Sequence, residues 1–187
     1  IFISIAGKNK AVHNANVVFK VADMRNFKLK KHFDAAICMF TSFGYFDHTH
    51  DDQKVLKQIA THLTKGGIFI LDLNNSFRTA WRIAQLPDAY HRRHTITGSE
   101  QTQLSNKLRV DTVHALNLCT MKWCMRKTWK YNKNIRGYRT SVQLYTVPEL
   151  KRMLEKSKFR ITNIFGNFNA STYSPGAPRM IIIATKK

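Results

Sequence analysis

The feature that most constrains this chain is an apolar strand, a helix and a second apolar strand in close succession. Phe33 to Phe40 (FDAAICMF) is a near-continuous apolar run, the pattern of a buried strand. Between His50 and Gly67 the spacing becomes helical, with Val55, Leu56, Ile59, Ala60 and Leu63 on one side. Asp51 or Asp52 is placed to cap the start of that helix, and Gly66 to end it. Ile68 to Leu73 (IFILDL) follows as the next strand. Strand, helix, strand at this spacing is a βαβ unit, so its two strands should lie parallel. Asn16 to Val21 (NVVFKV) is a short β-branched run ending before Asp23 and reads as one more buried strand. Residues 1–76 are therefore expected to hold a parallel sheet covered by helices.

The pattern then changes. Phe77 to Ser105 is polar and irregular, with a short helix expected around Arg78 to Ile83. From Leu108 alternation takes over, clearest in Met121, Trp123, Met125, Trp129 and Tyr131, whose even-numbered neighbours include Lys122, Arg126 and Lys130. This predicts a half-buried antiparallel strand with its aromatics toward the core and its cations in water. Asn132 to Asn134 supply a turn and Tyr138 to Tyr145 runs back, giving a meander of about three strands. Thr146, Pro148 and Glu149 spell a helix start with a capping box, and Leu150, Met153 and Leu154 form its apolar stripe. Ile161 to Phe165 and Met180 to Ala184 are two last strands, expected to pair antiparallel. The domain reading is 1–76, 77–146 and 147–187: a partial α/β core, an antiparallel insertion on the substrate side, and a closing helix with its strand pair.

Composition narrows the partners. The 187 residues carry 31 Lys and Arg against 11 Asp and Glu, a formal charge of +20, of which +16 lies after residue 75. Such a field attracts polyanions, so nucleic acid or an acidic substrate must be weighed, against the plainer reading of a dispersed lysine-rich surface. Cys38, Cys119 and Cys124 are an odd set without CxxC spacing, which argues for a reducing, cytoplasmic compartment. No apolar run approaches the roughly 20 residues of a membrane span. His48, His50, Asp51 and Asp52 match no metal-ligand spacing, and a helix start with acidic residues explains the aspartates, so no metal is expected.

The ordered series VADMRNFKLKKHFDAAICMFTSFGYF, a helix, then LTKGGIFILDLNN resembles the second half of a class I S-adenosylmethionine-dependent methyltransferase. It is most similar in feel to small-molecule N-methyltransferases, including amino-sugar dimethylating enzymes. The resemblance covers residues 15 to 75 and continues more weakly through YRTSVQLYTVPELKRMLEKSKF and the last strand pair. It implies an α/β, Rossmann-like methyltransferase sheet lacking its first strand or strands, with an inserted antiparallel β-meander. It further implies S-adenosylmethionine as cofactor and a small-molecule acceptor methylated at nitrogen. By this resemblance Asp23 would accept from the adenine amino group and the Met24 backbone N–H would meet a ring nitrogen, while Met39, Phe40, Thr41 and Ser42 would face the methionine portion and the methyl. Tyr45, Asn74, Asn75, Tyr138 and Arg139 are candidate substrate contacts, and Tyr45, His48, His91 and His94 candidate bases.

The chain also departs from the pattern. It contains no G-x-G, so the glycine turn that cradles the cofactor's amino-acid portion is not visible. If the opening IFIS is a remnant of the second strand, Phe2 stands where a ribose-binding acid belongs. The expectation is of a chain that begins after the first strand, first helix and N-terminal lid, binds cofactor poorly and turns over little. The alternative is a basic module: an RNA or DNA methyltransferase fragment, or a remnant that binds without catalysis.

Overall fold

A computed structural model of the chain describes Ala6 and residues 16–187. Its first sheet contains β1 (Phe33–Cys38), β2 (Leu63–Asn74), β8 (Phe159–Phe165) and β9 (Arg179–Lys186) in the order β1-β2-β9-β8. β1 and β2 are parallel, joined by α1 (Thr49–His62), as the βαβ spacing predicts. β9 pairs antiparallel with both β2 and β8, and α3 (Val147–Lys156) leads into β8. One face is packed: Val55, Leu56 and Ile59 of α1 and Leu150 and Leu154 of α3 close over Phe69, Leu71 and Ile182. Phe159 is fully buried with its ring 5.5 Å from that of Phe69. The α3 start is built as its sequence implies, the Glu149 carboxylate accepting the Thr146 N–H at 2.8 Å and its hydroxyl at 2.6 Å.

Four expectations for this half change. Asn16 to Val21 is irregular and exposed, with no strand partner among the described residues. β-branched side chains favour extended backbone, but a strand also needs a neighbour for its amides. β1 is not buried on both sides, since Ile37 on the face away from α1 is 67% exposed. Gly66 does not end the helix. The chain leaves α1 at Leu63, whose extended backbone carries its side chain straight into the core. Gly66, at φ +80°, lies in a bulge between the register pairs Phe33–Leu63 and Ala35–Ile68. Nor does either aspartate cap α1: His48 holds that position, with Asp51 and Asp52 in the first turn. The IFIS segment and Phe2 lie outside the described residues.

The second sheet is larger than the expected meander. β3 (Tyr90–Arg92), β4 (Thr95–Ser105), β5 (Leu108–Asn117), β6 (Lys122–Tyr131) and β7 (Asn134–Gln143) form five antiparallel strands in sequence order. β4 escapes a hydropathy reading because TITGSEQTQLS has one apolar anchor, Ile96, in its first nine residues, and places Gly98 where a Cβ would lie 2.8 Å from Leu86. α2 (Ser76–Ala84) covers one end of this sheet, burying Ile83 with Ile96, Leu116, Trp123 and Val142. It reaches no further. Trp123 is buried, but Trp129 is only half-buried and Tyr131 is exposed, so the aromatic row of β6 is core at one end only.

The two sheets meet along a polar seam. Gln143 N–H donates to the Gly44 carbonyl at 2.7 Å, and Lys122 Nζ donates to the Phe46 carbonyl at 2.8 Å. Gly44 has φ +94°, and a Cβ there would stand 2.8 Å from the Gln143 carbonyl oxygen. Fully buried Asp52 sits beneath it, accepting from the Gly44 N–H at 3.2 Å and the Tyr145 hydroxyl at 2.7 Å. Burial raises both the Asp52 carboxyl and the Tyr145 phenol above their ordinary ranges.

Candidate functional site

Because β1 and β2 are parallel, their C-terminal ends lie side by side, where ligands of open α/β sheets bind. The chain leaving β1 takes an unusual path there: Phe40 and Thr41 are consecutive non-glycine residues in the left-handed region, at φ 55° and 59°. Each such residue costs about 1–2 kcal/mol, so something must hold the pair in place. Asp72, fully buried near the end of β2, is that anchor. Its Oδ2 accepts the Phe40 N–H at 2.7 Å, its backbone oxygen accepts the Thr41 N–H at 3.0 Å, and its Oδ1 accepts Arg179 Nε at 2.7 Å. Arg179 opens β9, whose antiparallel register sets it beside Asn74. Its remaining nitrogens reach Asn74 Oδ1 at 2.9 Å and Thr41 Oγ1 at 3.3 Å.

This network spends some candidate residues and frees others. Thr41 is buried, its hydroxyl accepting the Asn74 N–H at 3.0 Å as well as Arg179. Phe40 is thrust outward, 76% exposed, with its ring 6.1 Å from Phe168 in the loop before β9. Met39 is half-buried, whereas Ser42 and Tyr45 are exposed. Asn75 is buried and fully committed: its Oδ1 caps α2 through Phe77 N–H at 3.1 Å, and its Nδ2 is shared among the carbonyls of Ser174, Pro175 and Ala177. That clamp pins the 174–177 loop against α2. Between them lies a cavity of about 400 Å³ lined by Phe77, Arg78, Trp81, Pro175 and Gly176. Nearby, burial and the Asp72 charge push the Cys38 thiol up to about 11.

Asp23 and Met24 occupy a turn beside the first turns of α1. Met24 packs partly on the core, while Asp23 is exposed at the rim of a groove of about 520 Å³ that includes Arg25, Asn26, Lys54 and Gln58. Arg25 organises the turn. Its Nη2 lies 2.7 Å from Asp23 Oδ2, its Nη1 3.4 Å from Asp51 Oδ2, and its guanidinium 4.6 Å above the Phe46 ring. The hydrogen bonds from Arg25 hold the Asp23 carboxyl down to about 2, so it is an anionic acceptor at any physiological pH.

Tyr138 and Arg139 are not brought to the strand ends. They are adjacent β7 residues and so point to opposite faces, several positions from the Gln143 seam. His91 and His94 belong to β3 and the turn after it, leaving Tyr45 and His48 as the base candidates on the loop that follows β1. Asp72 and Arg179 were not singled out in the sequence. Their signal is present, as the one acid within IFILDL and a cation directly before MIIIA.

A family model described as a methyltransferase domain matches residues 2–67. A dTDP-3-amino-3,4,6-trideoxy-alpha-D-glucopyranose N,N-dimethyltransferase of Streptomyces venezuelae is 36% identical over 50 residues, 27% of this chain and 21% of that protein. The chain thus matches about a fifth of the length of that curated relative. Among solved structures, the CcbJ methyltransferase of Streptomyces caelestis superposes with a TM-score of 0.76 at 10% identity, over 89% of this chain and 66% of that one. An S-adenosylmethionine-dependent methyltransferase of Clostridium acetobutylicum gives 0.70 at 15% identity, over 98% and 70%. In sequence over its first third and in fold over nearly its whole described length, the chain is similar to the S-adenosylmethionine-dependent methyltransferases, whose Rossmann-like α/β fold it shares.

Proposed function

We propose that this chain is part of an S-adenosylmethionine-dependent methyltransferase that methylates a small molecule at nitrogen, with an amino sugar as the first acceptor to test. The observation carrying this reading is the loop after β1, held open in a left-handed conformation by Asp72 and Arg179 at the C-terminal strand ends. The similarity to an amino-sugar N,N-dimethyltransferase supports the acceptor class. The residues fit an adenosine group, since the Asp23 groove has the volume of a nucleoside site and carries an ionised acceptor at its rim. When bound, S-adenosylmethionine supplies an electrophilic methyl group on a sulfonium. Asp23 and the Met24 backbone hold the adenine, and Met39, Phe40 and Ser42 border the reacting groups. The exposed Phe40 and Phe168 rings offer apolar surface that a bound acceptor would cover, which matters because alignment and desolvation carry most of an in-line methyl transfer. Tyr45 or His48 takes the proton released by the amine.

Calorimetry with S-adenosylmethionine, and labelled-methyl transfer to a panel of small amines and amino sugars, test the proposal. Binding that Asp23→Asn weakens about tenfold, the usual effect of a lost charged acceptor, is the expected result. Unchanged affinity in that variant removes Asp23 from the site. Cofactor binding with methyl transfer only to nucleic acid overturns the small-molecule reading.

A further inference from the structure

The uncovered end of the second sheet presents a surface that the methyltransferase reading leaves unused. Register in the β6–β7 hairpin sets Lys127 opposite Tyr138 and Trp129 opposite Arg136. Directly opposed residues share a face, so these four side chains form a quadrilateral on the same face as Trp123, at the end that α2 fails to reach. The two aromatics lie on one diagonal and stack on each other, with ring centroids 4.9 Å apart and planes 27° from parallel. The two cations occupy the other diagonal, and among the described residues neither is in an ion pair. Alternation along β6 sets Lys122, Arg126 and Lys130 on the face opposite Trp129 but leaves Lys127 beside it. Pairing with β7 adds Tyr138 and Arg136 to that face.

Charge decides what such a face attracts. From Tyr90 to Gln143 the chain has eleven Lys and Arg but only two acids, Glu100 and Asp111. Both acids are consumed internally: Glu100 binds Arg82 and His114, each at 3.0 Å, and Asp111 binds Arg109 at 3.0 Å and Lys130 at 2.7 Å. The cations around the aromatic pair are therefore uncompensated. A second copy of a chain with charge +20 is repelled from this face, whereas a polyanion is drawn to it. Exposed aromatics flanked by cations on an antiparallel sheet suit unstacked bases on a phosphate backbone. We infer that the Trp129–Tyr138 face of the β6–β7 hairpin binds single-stranded nucleic acid, the aromatics stacking bases and Lys127 and Arg136 neutralising phosphates.

The test needs neither cofactor nor turnover, so its outcome is separate from that of the methyl-transfer assays. Binding of a fluorescein-labelled oligouridylate of about twelve nucleotides to the purified 187-residue chain is followed by anisotropy over a range of salt, beside heparin as a base-free polyanion. Trp129→Leu and, separately, Tyr138→Leu, whose side chain is exposed, should weaken oligonucleotide binding about tenfold and leave heparin binding unchanged. Lys127→Gln with Arg136→Gln should lower the slope of log affinity against log salt by about 1.4, at roughly 0.7 per phosphate contact. The same charge removed from the opposite face of the hairpin, by Arg126→Gln with Arg139→Gln, should change it less. No oligonucleotide binding, binding indifferent to both aromatic replacements, or equal slopes for the two charge pairs overturns the inference.

Discussion

Replacing Arg179 by Met removes the charge that faces Asp72 while roughly keeping the length of the side chain. Asp72 is fully buried, with one oxygen on Arg179 Nε at 2.7 Å and the other on the Phe40 amide at 2.7 Å. Without the guanidinium the carboxylate keeps a single neutral donor in an apolar setting. Breaking a buried pair from one side costs about 3–5 kcal/mol, and because Arg179 is itself one-fifth exposed the lower end, about 3 kcal/mol, applies. For a chain of this size the loss corresponds to a fall in Tm of about 6–12 °C. Asp72→Asn keeps an oxygen for the Phe40 N–H, so Asp72→Asn with Arg179→Met should be more stable than Arg179→Met alone. Chemical denaturation of the wild type, both single variants and the double variant yields the coupling energy, expected at about 2 kcal/mol. A loss below about 1 kcal/mol in Arg179→Met, or additive single effects, would show that this pair does not anchor the strand end.

Gly44→Ala places a Cβ 2.8 Å from the Gln143 carbonyl at φ +94° and should cost about 2 kcal/mol or more, read as a lowered thermal midpoint; an unchanged midpoint refutes the seam. His114 is buried, accepting from Trp123 Nε1 at 3.3 Å and facing Glu100 at 3.0 Å, and burial depresses its pKa below 6.5. Its unfolded form takes the proton first, so the stability it confers is complete above about pH 6.5 and declines as pH falls from there toward the folded value. Urea unfolding on both sides of that pH should show a slope that flattens in His114→Gln, and equal slopes in the two proteins would remove this histidine as the cause. The tenfold effect of Asp23→Asn and the salt slopes of the hairpin variants complete the set.

How much was legible in the residues follows how far apart the interacting groups lie. Local periodicity reports β1, α1 and β2 because each pattern repeats within a few residues, and a helix between two apolar strands forces them parallel. The Thr146–Glu149 box is equally local, its partners three residues apart. β3 and β4 were hidden because their exposed sides carry no alternation that distinguishes strand from loop. NVVFKV reads as a strand on propensity alone, yet pairing needs a neighbour that composition cannot supply. The site divides in the same way. Asp23 and the loop after β1 were marked by an ordered series of motifs, whereas Asp72 and Arg179 are 107 positions apart and meet only because β9 runs antiparallel to β2. The sequence by itself determined which segments are strands and helices wherever burial is regular, and the excess of positive charge. Only the tertiary structure decided which carboxylate faces which guanidinium and which cations join which aromatics, because strand register and order place side chains that no local pattern connects.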